Sequence, residues 1–239
     1  MYYNVESINL KSKYETQEVK KFLEGFSLKY EDVDYTVVIR ENDETIATCS
    51  KKENILKCFA INENYQGLGL SNNLISKVTE QLFLERRYHS FIFTKPENQF
   101  LFEGLGYKNI FTTNKVSLLE SGNKSINSSL DKLKKEYNID DNKEYAALVM
   151  NCNPFTLGHR YIVETAAKEN ENVIIFVVEE DKSVFPFKTR FELIKQGTKD
   201  LKNVTVIPAG EYVISSATFP NYFLKKNDEE GKLIGQNMF

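Results

Sequence analysis

Ala146-Ala147-Leu148-Val149-Met150-Asn151-Cys152-Asn153-Pro154-Phe155-Thr156-Leu157-Gly158-His159 is the stretch that decides how this chain is read. An apolar run of strand length ends in a polar turn, and the turn opens a helix with Thr-x-Gly-His. A strand in that place fixes the turn at the carboxyl edge of a sheet, where open α/β sheets bind ligands. Thr156 is a natural N-cap, able to accept a free amide of the first helical turn. Gly158 keeps no side chain between a phosphate and the backbone, and the unpaired amides of a helix start attract anions. His159 stands in the first turn beside any phosphate bound there. Pro154 is expected to hold Asn153 extended and aim its side chain into the same space. The plainer alternative is a strand-ending Asn-Pro turn followed by an ordinary helical histidine. The strand before the motif and the helix after it favour a nucleotide site.

Working outward, 239 residues allow one large domain or two small ones. With 41% hydrophobic and 27% charged residues the composition is that of an ordinary globular chain. A formal charge of −3 gives no case for nucleic acid or an anionic membrane as main partner. No apolar run approaches the ~20 residues of a membrane-spanning helix, and the start lacks a signal core. Cys49, Cys58 and Cys152 are odd in number and show no CxxC spacing, so neither a disulfide framework nor a zinc site is indicated. A cytoplasmic location fits best, and no metal-ligand set is visible.

The pattern divides into a mixed α/β region over 1–120, a Ser-, Asn- and Lys-rich linker over 121–144, and a second region over 145–239. In the first, strands are expected at Tyr35 to Arg40, Thr45 to Cys49, Ile55 to Ile61, Ser90 to Thr94 and Ile110 to Leu118. A long helix carries Leu70, Leu74, Val78 and Leu82 at four-residue steps, and a short one covers Glu97 to Glu103. The linker has room for a helical piece around Leu130 to Tyr137. In the second region Ala146 to Met150 and Val173 to Val178 are continuous apolar runs, as expected of parallel strands covered on both faces. Helices over Gly158 to Glu169 and Phe187 to Gly197, with a strand over Asn203 to Ile207, complete a βαβαβ half of a doubly wound sheet.

Gln66-Gly67-Leu68-Gly69-Leu70-Ser71 lies between a strand and the long helix, where small residues let consecutive amides turn toward a pyrophosphate. A purely structural turn is the alternative. Together with Pro96 to Tyr107, the segment resembles the CoA-binding elements of GNAT-type N-acetyltransferases. Gln66, Gly69 and Ser71 match the Gln/Arg-x-x-Gly-x-Gly/Ala signature. That resemblance implies a site for CoA or acetyl-CoA at Gln66, Gly67, Gly69 and Ser71. Phe102 stands where many such enzymes carry a tyrosine as general acid, and a phenyl ring gives no proton.

The Thr156–His159 motif, the acidic Glu179-Glu180-Asp181 and Ser183 to Arg190 resemble the nucleotidyltransferase superfamily. Asn-Pro-Phe-Thr-Leu-Gly-His-Arg, Phe-Pro-Phe-x-x-Arg and Ile214 to Lys225 are similar, more narrowly, to the citrate (pro-3S)-lyase ligase family. The resemblance implies an AMP-forming acid–thiol ligase. ATP and acetate would form acetyl-adenylate, which acetylates the thiol of the citrate lyase acyl carrier subunit and so activates citrate lyase, with Mg²⁺ as the partner of ATP. It implies catalytic roles for His159 and Thr156, with Asn151, Asn153, Gly158, Lys188 and Arg190 around the nucleotide. Lys188 and Arg190 are candidate cations for pyrophosphate or carboxylate. Solvated helix charge is the alternative for Arg190, and strand-end solubility for Glu179 to Asp181. The fold implied is a GNAT-like mixed α/β domain followed by a Rossmann-like nucleotidyltransferase domain lacking its C-terminal part, with the first strand expected to be central. An acyl-CoA-dependent N-acetyltransferase and a non-catalytic binding remnant remain the other readings.

Overall fold

The structure, a computed structural model, describes residues 3–30, 32–179 and 183–213. Among these, residues up to Ser125 form one compact unit and those from Ile126 a second.

The first unit runs β1 (Glu6–Ser7), α1 (Lys13–Glu24), β2 (Tyr35–Glu41), β3 (Glu44–Lys52), β4 (Ile55–Ile61), α2 (Leu70–Leu84), β5 (His89–Thr94), α3 (Gln99–Glu103), β6 (Lys108–Thr112) and β7 (Ser117–Gly122). Its sheet has the order β1-β2-β3-β4-β5-β7-β6. Alternation in β2 sends Val37 and Ile39 to one face, where they pack with Leu74, Val78 and Leu82 of α2. Val38 points to the other face and meets Val19 and Leu23 of α1. Each such side chain contributes about 1.5–3 kcal/mol when fully buried, so both helices are held chiefly by their apolar stripes. Neither α1 nor β1 stood out in the sequence. Only Val19 and Leu23 of the twelve residues in α1 are buried.

One pairing positions a site. β4 and β5 are parallel but bonded only at Ile55↔Phe91 and Leu56↔Ile92. β4 follows β3 to Ile61, with a register shift opposite Thr48–Ser50 and Cys58 at φ 52°. Beyond Leu56 the sheet therefore opens between β4 and β5, and the Gln66–Gly69 turn comes off the open end of β4.

The expectation of a single strand over Ile110 to Leu118 is corrected. The segment is an antiparallel hairpin of β6 and β7. The Thr113 hydroxyl accepts the amides of Lys115 and Val116, closing a turn with no Gly or Pro to announce it.

The second unit runs α4 (Ile126–Tyr137), β8 (Ala146–Met150), α5 (Leu157–Glu169), β9 (Val173–Val177), α6 (Phe187–Gly197) and β10 (Val204–Pro208). The stretch 121–144 thus holds the end of β7 and the whole of α4. The three strands are parallel in the order β10-β9-β8. Strands added successively in one direction by right-handed crossovers place both crossover helices on one face. Met150, Val163, Ile175, Val177 and Ile194 form the core there.

A second expectation is corrected here. Among the described residues β8 has a strand on one side alone, the three strands read from the sequence being those found, and it is not covered on both faces. Its burial alternates, and Val149 is 40% exposed. The run is apolar throughout, but only the register of Leu148 and Met150 faces the helices. No described helix is long and apolar enough to cross a membrane.

Candidate active site

β8 ends at Met150, and the chain turns through Asn151 to Phe155 before α5 begins at Leu157. Thr156 is the N-cap, in extended conformation at φ −122° and ψ 172°. Its hydroxyl accepts the His159 amide, and the His159 ring returns to the cap, so the two residues close a capping box. The Thr156 amide donates to His159 Nδ1 at 3.1 Å, and Thr156 Oγ1 lies 2.8 Å from the same nitrogen. A backbone N–H can only donate, so Nδ1 must present its lone pair. In the neutral ring the hydrogen is then on Nε2, at the edge turned away from the cap.

The ring is held from the side as well. Phe155 stacks on His159 with centroids 6.0 Å apart and planes 21° from parallel. Phe155 in turn lies on the end of α6, where a Cβ on Gly197 would come within 2.5 Å of its ring. Arg160 ties the same helix ends together. It bonds the Gly197 carbonyl, pairs with Asp200 at 2.6 Å and reaches Glu164 at 2.7 Å. That bond to Arg160 holds the Asp200 carboxyl at about 2, well below the usual range. Phe155, Gly197 and Arg160 were not singled out from the sequence. Phe155 and Arg160 adjoin the Thr-x-Gly-His motif in sequence, whereas Gly197 is distant from it and gave no signal.

The two asparagines join this turn to the loop after β9. Asn153 Oδ1 accepts the Phe185 amide at 2.9 Å. Asn151 exchanges hydrogen bonds with Ser183 at 3.2 and 3.3 Å. The Asn153–Pro154 peptide is cis. The Asn153 side chain spans to the neighbouring loop with its oxygen and turns its amino group outward. Gly158 sits exposed in the first helical turn with only Thr156 Oγ1 near its Cβ direction, at 3.7 Å. With the first-turn amides, which have no carbonyl one turn back, the turn presents hydrogen-bond donors.

Arg190 requires a correction. It was expected as a cation for pyrophosphate or carboxylate, or as a solvated helix charge. It is 0% exposed. Nε donates to the Phe185 carbonyl at 2.9 Å, and Nη1 to Asn151 O, Asn151 Oδ1 and Val178 O at 2.8 Å each. Its place between Phe187 and Ile194 on the apolar stripe of α6 was the sign that it faces inward. Lys188 is exposed in the first turn of α6 and is the cation of the pair that solvent reaches. Cys152 is buried, and burial pushes its thiol up to about 11 against a partial offset from Arg190, so it packs rather than reacts. Glu179 accepts the Gly210 amide at 2.8 Å and links the loops after β9 and β10. Glu180, Asp181, Lys182 and the segment 214–225 lie outside the described residues. No group of three or more His, Cys, Asp or Glu gathers as for a metal among the described residues.

In the first unit, Gly67 and Gly69 have φ values of 79° and 76°, with nothing within 4 Å of a Cβ built on either. Gly69 is the N-cap of α2 and supplies no side-chain cap, and Gln66 and Ser71 flank it. The open end of the β4/β5 pair and the bare amides of α2 make a cradle an anion can approach closely. Phe102 is buried against Phe59, with centroids 5.1 Å apart. The Tyr107 hydroxyl is bonded to Ser90 at 3.0 Å, and burial raises its pKa.

Residues 145–235 match the citrate lyase ligase C-terminal domain. Over 210 residues the chain is 40% identical to the citrate (pro-3S)-lyase ligase of Haemophilus influenzae, an alignment covering 87% of this chain and 62% of that protein. It is 36% identical to the ligase of Klebsiella pneumoniae, over 91% of this chain and 64% of the relative. Against the Escherichia coli ligase the identity is 35%, over 87% and 59%. Among solved structures, a GNAT-family acetyltransferase of Staphylococcus aureus superposes with a TM-score of 0.42 at 12% identity, covering 52% of this chain and all of the other. ElaA of Escherichia coli gives 0.42 at 12% identity, covering 49% and 98%. By sequence the chain is similar to these citrate lyase ligases, and it spans about three fifths of the length of the curated relatives it matches.

Proposed function

We propose that the chain is part of an AMP-forming ligase that activates citrate lyase in the cytoplasm by acetylating the thiol of its acyl carrier subunit. The observation that carries this reading is the His159 imidazole, anchored through Nδ1 so that Nε2–H points outward at a helix start, in a chain similar to citrate lyase ligases. On this reading an acetate oxygen attacks the α-phosphorus of ATP. The bond from that phosphorus to the bridging oxygen breaks, and pyrophosphate leaves. The carrier's thiolate then attacks the acetyl carbonyl, and AMP departs with the electron pair of the carbon–oxygen bond.

Chemistry of this kind needs alignment and charge stabilisation more than a covalent partner. His159 donates to phosphate oxygens as charge grows there, and the amides of Leu157 and Gly158 add the field of the helix start. Thr156 sets the ring. The amino groups of Asn151 and Asn153 and the exposed Lys188 border the polyphosphate. Mg²⁺ enters as the counter-ion of ATP. The first unit fits a CoA-type pyrophosphate at Gln66, Gly67, Gly69 and Ser71, as a binding site rather than an amine acetyltransferase, because Phe102 gives no proton.

Acetate-dependent exchange of labelled pyrophosphate into ATP tests the adenylation step, and acetylation of the isolated carrier subunit tests the second. Exchange that needs acetate supports the reading. Turnover of acetyl-CoA with a simple amine, and no exchange, would replace it with acetyl transfer by the first unit.

A further inference from the structure

Arg190 stands between the turn after β8 and the loop after β9, and the hydrogen bonds described above dictate the orientation of their partners. Its guanidinium carries only donors and does not deprotonate in proteins. Whatever faces it must therefore be an acceptor. The Asn151 carboxamide lies 2.8 Å from Nη1 through Oδ1, and its amino group donates to Ser183 Oγ, which also lies 3.3 Å from Oδ1. The same nitrogen holds the Asn151 and Val178 carbonyls, the ends of neighbouring strands. Nε holds the Phe185 carbonyl, and the Phe185 amide is the donor that fixes Asn153. One fully buried fork thus fixes the Asn151 carboxamide directly and the Asn153 carboxamide through Phe185.

We propose that Arg190 is a positioning residue: it acts on the bound nucleotide through the Asn151 and Asn153 carboxamides, whose orientation it fixes, and does not itself touch a phosphate. This rests on the nucleotide reading of the site. Lysine cannot replace it, because a single ammonium has neither the planar fork nor the reach to serve carbonyls on two strands and a loop.

Arg190→Ala leaves several buried carbonyls without a donor and is a poor test, since it can simply unfold the unit. Arg190→Lys, Asn151→Ala and the double variant are compared instead, each first shown by its melting curve to be folded. In pyrophosphate exchange, Arg190→Lys and Asn151→Ala should each lower kcat/KM for ATP, by up to about 10²-fold, as for a small misplacement of aligned groups. The double variant should lose little more than the worse single one. Losses that multiply would show that Arg190 acts on the nucleotide independently of Asn151 and would overturn the proposal.

The second readout needs no activity. The side-chain amide protons of Asn151, assigned by their absence in Asn151→Ala, are followed by NMR in the ATP-free protein. In Arg190→Lys they should move toward the position of a solvated amide. If they stay where they are in the wild type, the proposal fails. A wild type without exchange but with this NMR shift would reject the nucleotide reading and keep the positioning role.

Discussion

At Gln66–Leu70 and again at Asn151–His159 a strand gives way to a helix through a short turn, yet the two turns are built on opposite plans. The first is bare. Gly69 caps α2 with no side chain, two left-handed glycines hold the turn, and the space around them is open. The second is furnished with side chains. Thr156 and His159 cap each other, Phe155 braces the imidazole, and the asparagines tie the turn to the next loop. A bare turn can only bind, by offering amides to an anion. A furnished one can also place a donor where charge develops during reaction. On the function proposed above, the first turn would serve recognition and the second the chemistry.

The largest effect expected is in the second turn. His159→Ala should lower acetate-dependent pyrophosphate exchange by about 10²–10³-fold, the usual cost of one transition-state donor, with the melting temperature little changed. Wild-type exchange in that variant would break the comparison at its stronger end. Next is Gly197→Ala, whose new Cβ falls 2.5 Å from Phe155. Forcing the ring aside should cost about 1–3 kcal/mol of stability and release the His159 brace, so exchange falls as well. Calorimetry with the exchange assay reads both, and a variant as stable and active as wild type would show the brace to be unnecessary.

In the first turn, Gly69→Ala puts a Cβ on a residue at φ 76°. The strain is about 1–2 kcal/mol, and weaker acetyl-CoA binding by titration should accompany it. An equal loss of pyrophosphate exchange would dissolve the separation between the turns. Smallest is a pH effect at the base of the second turn. The folded pKa of Asp200 is lowered to about 2 by its bond to Arg160. Its stabilising contribution is therefore present above the unfolded value of about 3.9 and is lost as pH falls from there toward 2. Asp200 is exposed, so the difference in melting temperature between wild type and Asp200→Asn should be small at pH 6 and vanish by pH 2. A difference that grows on acidification has the wrong sign for this account.

The same contrast explains what could be read from the sequence. β4, β8 and α2 begin where apolar periodicity and turn residues placed them, and the helix start at Thr156 was announced by its cap. Contacts between residues far apart in sequence were not legible. Arg190 looked like a surface cation because composition cannot show that Asn151 and Val178 bring three acceptors to it. The β6/β7 hairpin was hidden because Thr113 turns the chain with its hydroxyl in place of a glycine. An apolar β8 implied two covered faces, since the periodicity of a continuous run does not say which side is packed. The sparse stripe of α1 gave too few apolar positions to mark a helix.

The central claim is that the second turn, through outward-facing donors, takes the nucleotide. Isothermal titration of ATP into the wild type and into Asn153→Asp tests it most directly. Aspartate keeps the oxygen that accepts the Phe185 amide and exchanges the outward amino group for a negative oxygen. The account predicts that the wild type binds ATP, and that Asn153→Asp melts like the wild type yet binds ATP weaker by about tenfold or more, the equivalent of 1.4 kcal/mol. Equal affinity in the two proteins, or ATP binding that is lost in Gly69→Ala instead, would contradict it.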